Sequence, residues 1–138
     1  MASIKQVAGE FFEACETGKG WEGCSTFCVP GASFSSQAEA MAGMTTLEEY
    51  TNWMRDLFGP LPDAGYELKA FAVDDERNSV CGFAVFSATH TGEGGPVPAT
   101  GKSARADYVY AMEFEGDKIR HMTKIWNSGH TLRELGWA

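Results

Sequence analysis

At 138 residues and 15.0 kDa the chain has the size of one domain, expected to span 1–138, and its 43% hydrophobic and 12% aromatic content is enough to fill a core, which excludes wholesale disorder. The formal charge of -8 is uneven: residues 1–101 carry 5 basic and 14 acidic side chains, residues 102–138 carry 6 and 5. No Lys/Arg cluster offers the phosphate contacts that nucleic-acid affinity rests on, and no run approaches the roughly 18 apolar residues of a membrane span.

Ile4, Val7, Ala8, Phe11, Ala14 and Cys15 recur at helical spacing, with Lys5, Glu10, Glu13 and Glu16 assigned to the polar side and Gly18 and Gly20 as the stop. A short second helix is predicted over 21–27, ahead of Pro30 and Gly31. ASFSSQ at 32–37 reads as a short strand, followed up to Gly43 by loop or a second short strand. A capping box, Thr45 with Glu48 or Thr46 with Glu49, precedes the apolar stripe Leu47, Tyr50, Trp53, Met54, Leu57 and Phe58, and Gly59–Pro60 ends that helix.

From Tyr66 the period changes to two. Strands are predicted at about 66–73, 79–91, 102–114 and 119–127, joined by DDERN, the glycine-rich GEGGPVPATG at 92–101, and EGDK. Helices first and a three-hairpin meander afterwards predict an α+β domain, a curved antiparallel sheet wrapped around the N-terminal helices.

Cys15, Cys24, Cys28 and Cys81 read as reduced thiols, because MASIKQ has no apolar stretch after a basic segment and a cytoplasmic location is expected. Cys24 and Cys28 have a zinc-compatible spacing without a second ligand pair, so no metal is expected. The glycine-rich loop lacks the phosphate-loop spacing and leads into a strand, so no nucleotide site is expected there.

THTGEGGPVPATGK at 89–102, EGDKI at 115–119 and the Trp-containing last strand, together with FFEACETGKGWEG at 11–23 and LPDAGYEL at 61–68, resemble the SnoaL-like polyketide cyclases of the nuclear transport factor 2-like superfamily. The resemblance spans nearly the whole chain. It implies a cone-shaped α+β barrel with a pocket between helices and bent sheet, a homodimer formed through the outer sheet face, and aldol chemistry without metal or organic cofactor. It also implies an acid–base Asp on the last strand, and that position carries Lys124 here. The fold family includes isomerases, dehydratases and non-catalytic binding modules, so two readings stand: a cofactor-free isomerase, cyclase or dehydratase acting beside a carbonyl, or a module that binds a ligand or protein without catalysis.

The last hairpin, read with a two-residue turn at Gly116–Asp117, pairs Glu113 with Arg120 and sets Asp107, Val109 and Ala111 on one face with Met122, Lys124 and Trp126. Lys124 then lies diagonal to Asp107. The catalytic reading of that pair has Lys124 stabilising an enolate while Asp107 moves the proton; the structural reading is an ion pair in the sheet. The opposite face is expected to carry Tyr110 and His121, a second acid–base candidate. His90, at the edge of the glycine-rich loop, reads as a rim residue or turn anchor. Tyr50, Trp53, Met54 and Phe58, with Met122 and Trp126, are the expected apolar wall around a small apolar or carbonyl-bearing organic molecule.

Overall fold

The computed structural model describes residues 2–138. Helix α1 (Ile4–Glu16) starts where the Ser3 hydroxyl accepts the Gln6 amide at 3.1 Å, and buries Val7, Ala8, Phe11, Phe12, Cys15 and Glu16. Helix α2 (Gly20–Cys24) and a 3-10 turn over Ser25–Phe27 follow, matching the short helix predicted over 21–27. Strand β1 (Cys28–Ser36) gives way to a 3-10 turn at Glu39–Met41, where the sequence had left loop or strand open. Helix α3 (Leu47–Leu57) uses the Thr46–Glu49 form of the capping box: the Glu49 amide donates to the Thr46 hydroxyl and the Glu49 carboxylate accepts the Thr46 amide.

Strands β2 (Gly65–Asp74), β3 (Ser79–Thr89), β4 (Ser103–Glu115) and β5 (Lys118–Trp126) lie within two residues of their predicted bounds. The sheet order is β1-β5-β4-β3-β2, and β1 joins β5 in parallel. The sheet is therefore mixed, not purely antiparallel, and it curves without closing. Helix α4 (Ser128–Leu135) was not foreseen; Asn127 caps it, its side chain accepting the His130 amide, and Gly136 ends it at φ 77°. Among the described residues no helix is long and apolar enough to cross a membrane.

One face of the sheet packs on α1 and α3. Phe12 sits at the centre, with ring centroids 4.8 Å from Tyr110, 5.5 Å from Tyr66, 6.1 Å from Tyr108 and 6.2 Å from Phe71. Gly82 makes that position possible, because a Cβ there would approach the Phe12 and Phe71 rings to 3.0 Å. A second, smaller cluster gathers Leu61, Ala88, Ala104 and Leu135 and holds α4 against β4.

The hairpin turn forms as read, with Gly116 at φ 62° in the position that favours glycine, and Glu115 faces Lys118 and Phe114 faces Ile119. The next pair is not Glu113 with Arg120 but Glu113 with His121, so Arg120 is an extra, bulged residue. That insertion reverses the faces: Tyr108, Tyr110 and Met112 now pair with Trp126, Lys124 and Met122. The Arg120 guanidinium still reaches Glu113 at 3.4 Å as an exposed ion pair.

Truncating Phe12→Ala removes the ring on which four aromatic side chains converge, and should cost about 3–5 kcal/mol. A urea unfolding midpoint close to that of the unsubstituted chain would contradict the central position given to this ring.

Candidate functional site

Lys124 lies on the buried face of β5, 6% exposed, although it is a cation. Its Nζ donates to the Tyr50 hydroxyl at 3.0 Å, and Tyr50 Oη is in turn hydrogen-bonded to Tyr110 Oη. Tyr110 Oη also lies 4.0 Å from the Cys15 thiol. Rings surround the ammonium: Trp126 at 4.4 Å, Tyr50 at 5.1 Å, Tyr108 at 5.3 Å, Trp53 at 5.8 Å and Tyr110 at 5.9 Å from Nζ to centroid. Such faces attract a cation and replace part of its lost hydration. An ammonium has three donors, and Tyr50 takes one.

Glu16, at the C-terminal end of α1, is 4% exposed and lines the same cavity as Lys124. Its Oε1 has no hydrogen-bond partner, and neither has the Tyr108 hydroxyl. Burial raises the Glu16 carboxyl pKa, with the Lys124 charge and the Tyr110 and Tyr108 hydroxyls acting in the opposite sense. Burial lowers the Lys124 pKa to about 8, opposed by the negative charge of Glu16. The two groups thus lean toward the neutral acid and the neutral amine.

The cavity is about 40 Å³, room for a few waters at most, against roughly 300–1,000 Å³ for occupied small-molecule pockets. Trp53, Met54 and Leu57 from α3, Phe86 and Tyr108 from the sheet, and Trp126 beyond Lys124 form one wall; Thr131, Leu132, Leu135 and Trp137 form the other. The Trp126 indole donates to Thr131 Oγ1 at 2.9 Å, and Trp137 donates to His90 Nδ1 at 2.9 Å. His90 is fully buried, and its Nδ1 also accepts the Thr100 amide at 3.2 Å, so its proton resides on Nε2 and it acts as an anchor for the chain end.

The structure separates several residues that the sequence had grouped. Asp107 is exposed on the outer sheet face beside Phe83, Val109 and Ile125, on the opposite side from Lys124. His121 also faces outward, parted from Tyr110 by the sheet. Its ring nitrogens hydrogen-bond to Ser33 at 2.6 Å, Ser35 at 3.0 Å and Thr123 at 3.2 Å, stitching edge strand β1 to β5. Among the expected wall residues, Trp53, Met54 and Trp126 line the cavity, and Tyr50 stands behind Lys124. Met122 is a core residue opposite Met112, while Phe58 packs over Gly18, whose Cβ position lies 2.8 Å from the Phe58 ring. Glu16 was assigned to the polar side of α1. Its spacing from Ala8 and Phe12, i+4 at each step, was the available sign of a buried position.

Cys15, Cys24 and Cys28 are buried free thiols and Cys81 is exposed. Among the described residues no group of three or more His, Cys, Asp or Glu is arranged to hold a metal ion.

The family model for SnoaL-like polyketide cyclases matches residues 6–135. No curated protein matches the chain in sequence. Among solved structures, IdmH of Streptomyces antibioticus, a candidate polyketide cyclase, superposes with a TM-score of 0.79 at 18% identity over 98% of this chain and 99% of that one. AclR of Streptomyces galilaeus, a candidate hydroxylase, gives 0.77 at 20% identity over 98% of this chain and 85% of that one. A protein of Catenulispora acidiphila with a ketosteroid isomerase-like fold, in complex with trimethylamine, gives 0.71 at 13% identity over 96% of this chain and 94% of that one.

The buried amine makes stability depend on pH. Unfolded Lys124 holds its proton up to its ordinary value of 10.5, whereas the folded group releases it near 8. Between those values the unfolded state binds more protons, so stability rises with pH. The advantage of Lys124→Met over the unsubstituted chain should therefore be largest below pH 8 and shrink by about 3 kcal/mol by pH 10.5. Denaturant unfolding of both proteins across this range, with a pH-independent difference, would show that Lys124 titrates as an exposed lysine.

Proposed function

This chain belongs to the SnoaL-like polyketide cyclase family, and we propose that it is a small-molecule enzyme that moves a proton at the carbon beside a carbonyl, as an isomerase, cyclase or dehydratase. One observation carries the reading: a single apolar cavity brings together a buried acid with an unpartnered oxygen, Glu16, and a buried cation with unspent donors, Lys124. A carbonyl oxygen seated against Lys124 Nζ receives a charge-assisted hydrogen bond that strengthens as the oxygen becomes an enolate. The Glu16 carboxylate takes the α-proton and returns it at the same or a neighbouring carbon. Desolvation raises the basicity of that carboxylate, and Trp53, Trp126 and Tyr108 offer flat apolar faces to an aromatic or conjugated ligand. The proposed steps use these side chains alone, in a cytoplasmic protein whose thiols stay reduced.

The competing reading is a ligand-binding module without catalysis, and it draws on Lys124 standing where the family resemblance expects an Asp. Solvent deuterium exchange at the α-carbons of a panel of aryl ketones and β-keto esters separates the two. An enzyme of the kind proposed should accelerate exchange for at least one compound. Glu16→Gln and Lys124→Met should each reduce that rate by about 10²–10⁴-fold, while Asp107→Asn leaves it unchanged. Saturable binding without accelerated exchange would favour the module.

The reading includes a homodimer through the outer sheet face. Phe83, Val109 and Ile125 align in one row across β3, β4 and β5, and Ile125 is 62% exposed, with Asp107 and Arg133 bordering the same concavity. An apolar row of this kind, edged by opposite charges, suits pairing about a two-fold axis. Ile125→Asp should convert a dimer to a folded monomer by light scattering after size exclusion. An unsubstituted chain that is already monomeric would refute this assembly.

A further inference from the structure

Lys124 differs from the other five lysines, all exposed, in a way that suits covalent chemistry. Its Nζ forms one hydrogen bond, to Tyr50, and no ion pair closes on it among the described residues. When Tyr50 directs its own proton to Tyr110, it can only accept from Nζ, which leaves the lone pair of a neutral amine unshared. The walls are largely aromatic and aliphatic, and a carboxyl group with a free oxygen shares the cavity.

We propose that Lys124 is a nucleophile that condenses with the carbonyl carbon of a ketone or β-dicarbonyl compound, with Glu16 as its acid–base partner. The inference rests on the carbonyl-pocket reading above and deepens it. Nζ attacks the carbonyl carbon to form a C–N bond, and a proton passes from nitrogen to oxygen to give the carbinolamine. The Glu16 carboxylic acid then protonates the hydroxyl, the C–O bond breaks and water leaves. Amine, carbonyl and carboxylic acid become iminium, water and carboxylate, with no change of oxidation state. The Glu16 carboxylate next takes the α-proton to give the enamine. Positive charge stays at Nζ in the iminium as in the ammonium, so the five rings that surround this atom favour both. The lowered pKa, about 8, adds a usable neutral fraction near pH 7.5.

Acetylacetone is the probe, because a lysine that condenses with it yields a vinylogous amide with its own near-ultraviolet band. With the full chain at pH 7.5, the expected product is one adduct of diketone mass less one water, mapped to Lys124 by peptide mass spectrometry. It should form at least about tenfold faster than adducts on the exposed lysines, since at that pH the neutral fraction of an amine near 8 exceeds that of an ordinary lysine amine about two-hundredfold. The rate should rise with pH and level off above about 8. Lys124→Met and Lys124→Arg should both abolish the fast adduct, the Arg variant retaining the cation; thermal melts report which is folded, and either suffices. Glu16→Gln should give the same product at least about tenfold more slowly.

Labelling spread over exposed lysines with Lys124 unmodified overturns the proposal. If acetylacetone binding, followed by ligand-observed NMR, and accelerated ketone exchange persist without the adduct, the covalent step is wrong and the hydrogen-bonding mechanism stands. If binding, exchange and adduct are all absent, both readings fall.

Discussion

Because Arg120 is an extra residue in the β4–β5 ladder, every side chain of β5 beyond it points to the face opposite that of an unbroken ladder. The bulge turns Met122, Lys124 and Trp126 inward, against Tyr108, Tyr110 and Met112. It sends His121, Thr123 and Ile125 outward, where His121 can bond Ser33 and Ser35 of β1. The edge strand, the apolar outer row and the buried amine all depend on this one insertion.

A lysine turned inward must be compensated, since an isolated buried charge is costly. The surroundings supply part of the compensation through one hydroxyl, five ring faces and the nearby charge of Glu16. Desolvation outweighs these, which is why the amine is pulled below its ordinary range instead of being held fully charged. Glu16 is driven the other way for the same reason, in the same cavity. Groups whose pKa values are pushed toward neutrality in one cavity are better suited to act as proton donor and acceptor than a locked ion pair. The hydroxyl chain from Lys124 through Tyr50 to Tyr110 leads away from the cavity into the core, so it orients the amine without competing for ligand space.

Most of the framework was legible because it rests on local patterns. The α3 stripe with its capping box, the GD turn and the alternation in β2 to β5 each announce themselves within a few residues. The site was less legible because it depends on register. A bulge leaves no mark in the sequence when both candidate partners of Glu113, Arg120 and His121, can face a carboxylate, and the Glu113–Arg120 ion pair forms even though the two are not register partners. The catalytic reading of the hairpin took the face of Lys124 and Trp126 as pocket lining, with the choice of face left open, and the unbroken ladder put Asp107 beside them. Glu16 was hidden by its charge: a carboxylate ending an amphipathic helix reads as solvated until the cavity it enters is known to hold a cation. Helix α4 was hidden by its length, since eight residues with few apolar positions give a weak period.

The same short helix sets the limit on access. A cavity of about 40 Å³ accepts nothing the size of an aromatic ketone unless a wall moves. The sheet and α3 belong to the main core, where moving one side chain disturbs Phe12 and its ring neighbours. Helix α4 instead rests on the smaller cluster, in which Leu135 meets Leu61 and two alanines. Burial of one leucine contributes about 1.5–3 kcal/mol, well under the global stability of a domain of this size. The remaining ties are directional: Thr131 to Trp126, Leu135 carbonyl to Thr100, Trp137 to His90, the Arg105 amide to Glu134, and the Ala40 amide to Ser128. Hydrogen bonds of this kind exchange for water on opening at about 1 kcal/mol each, so α4 is tied to the fold less firmly than the sheet and α3 are. The wall that closes the cavity is thus the one least committed to the fold, and the residues facing it from the committed side are Glu16 and Lys124.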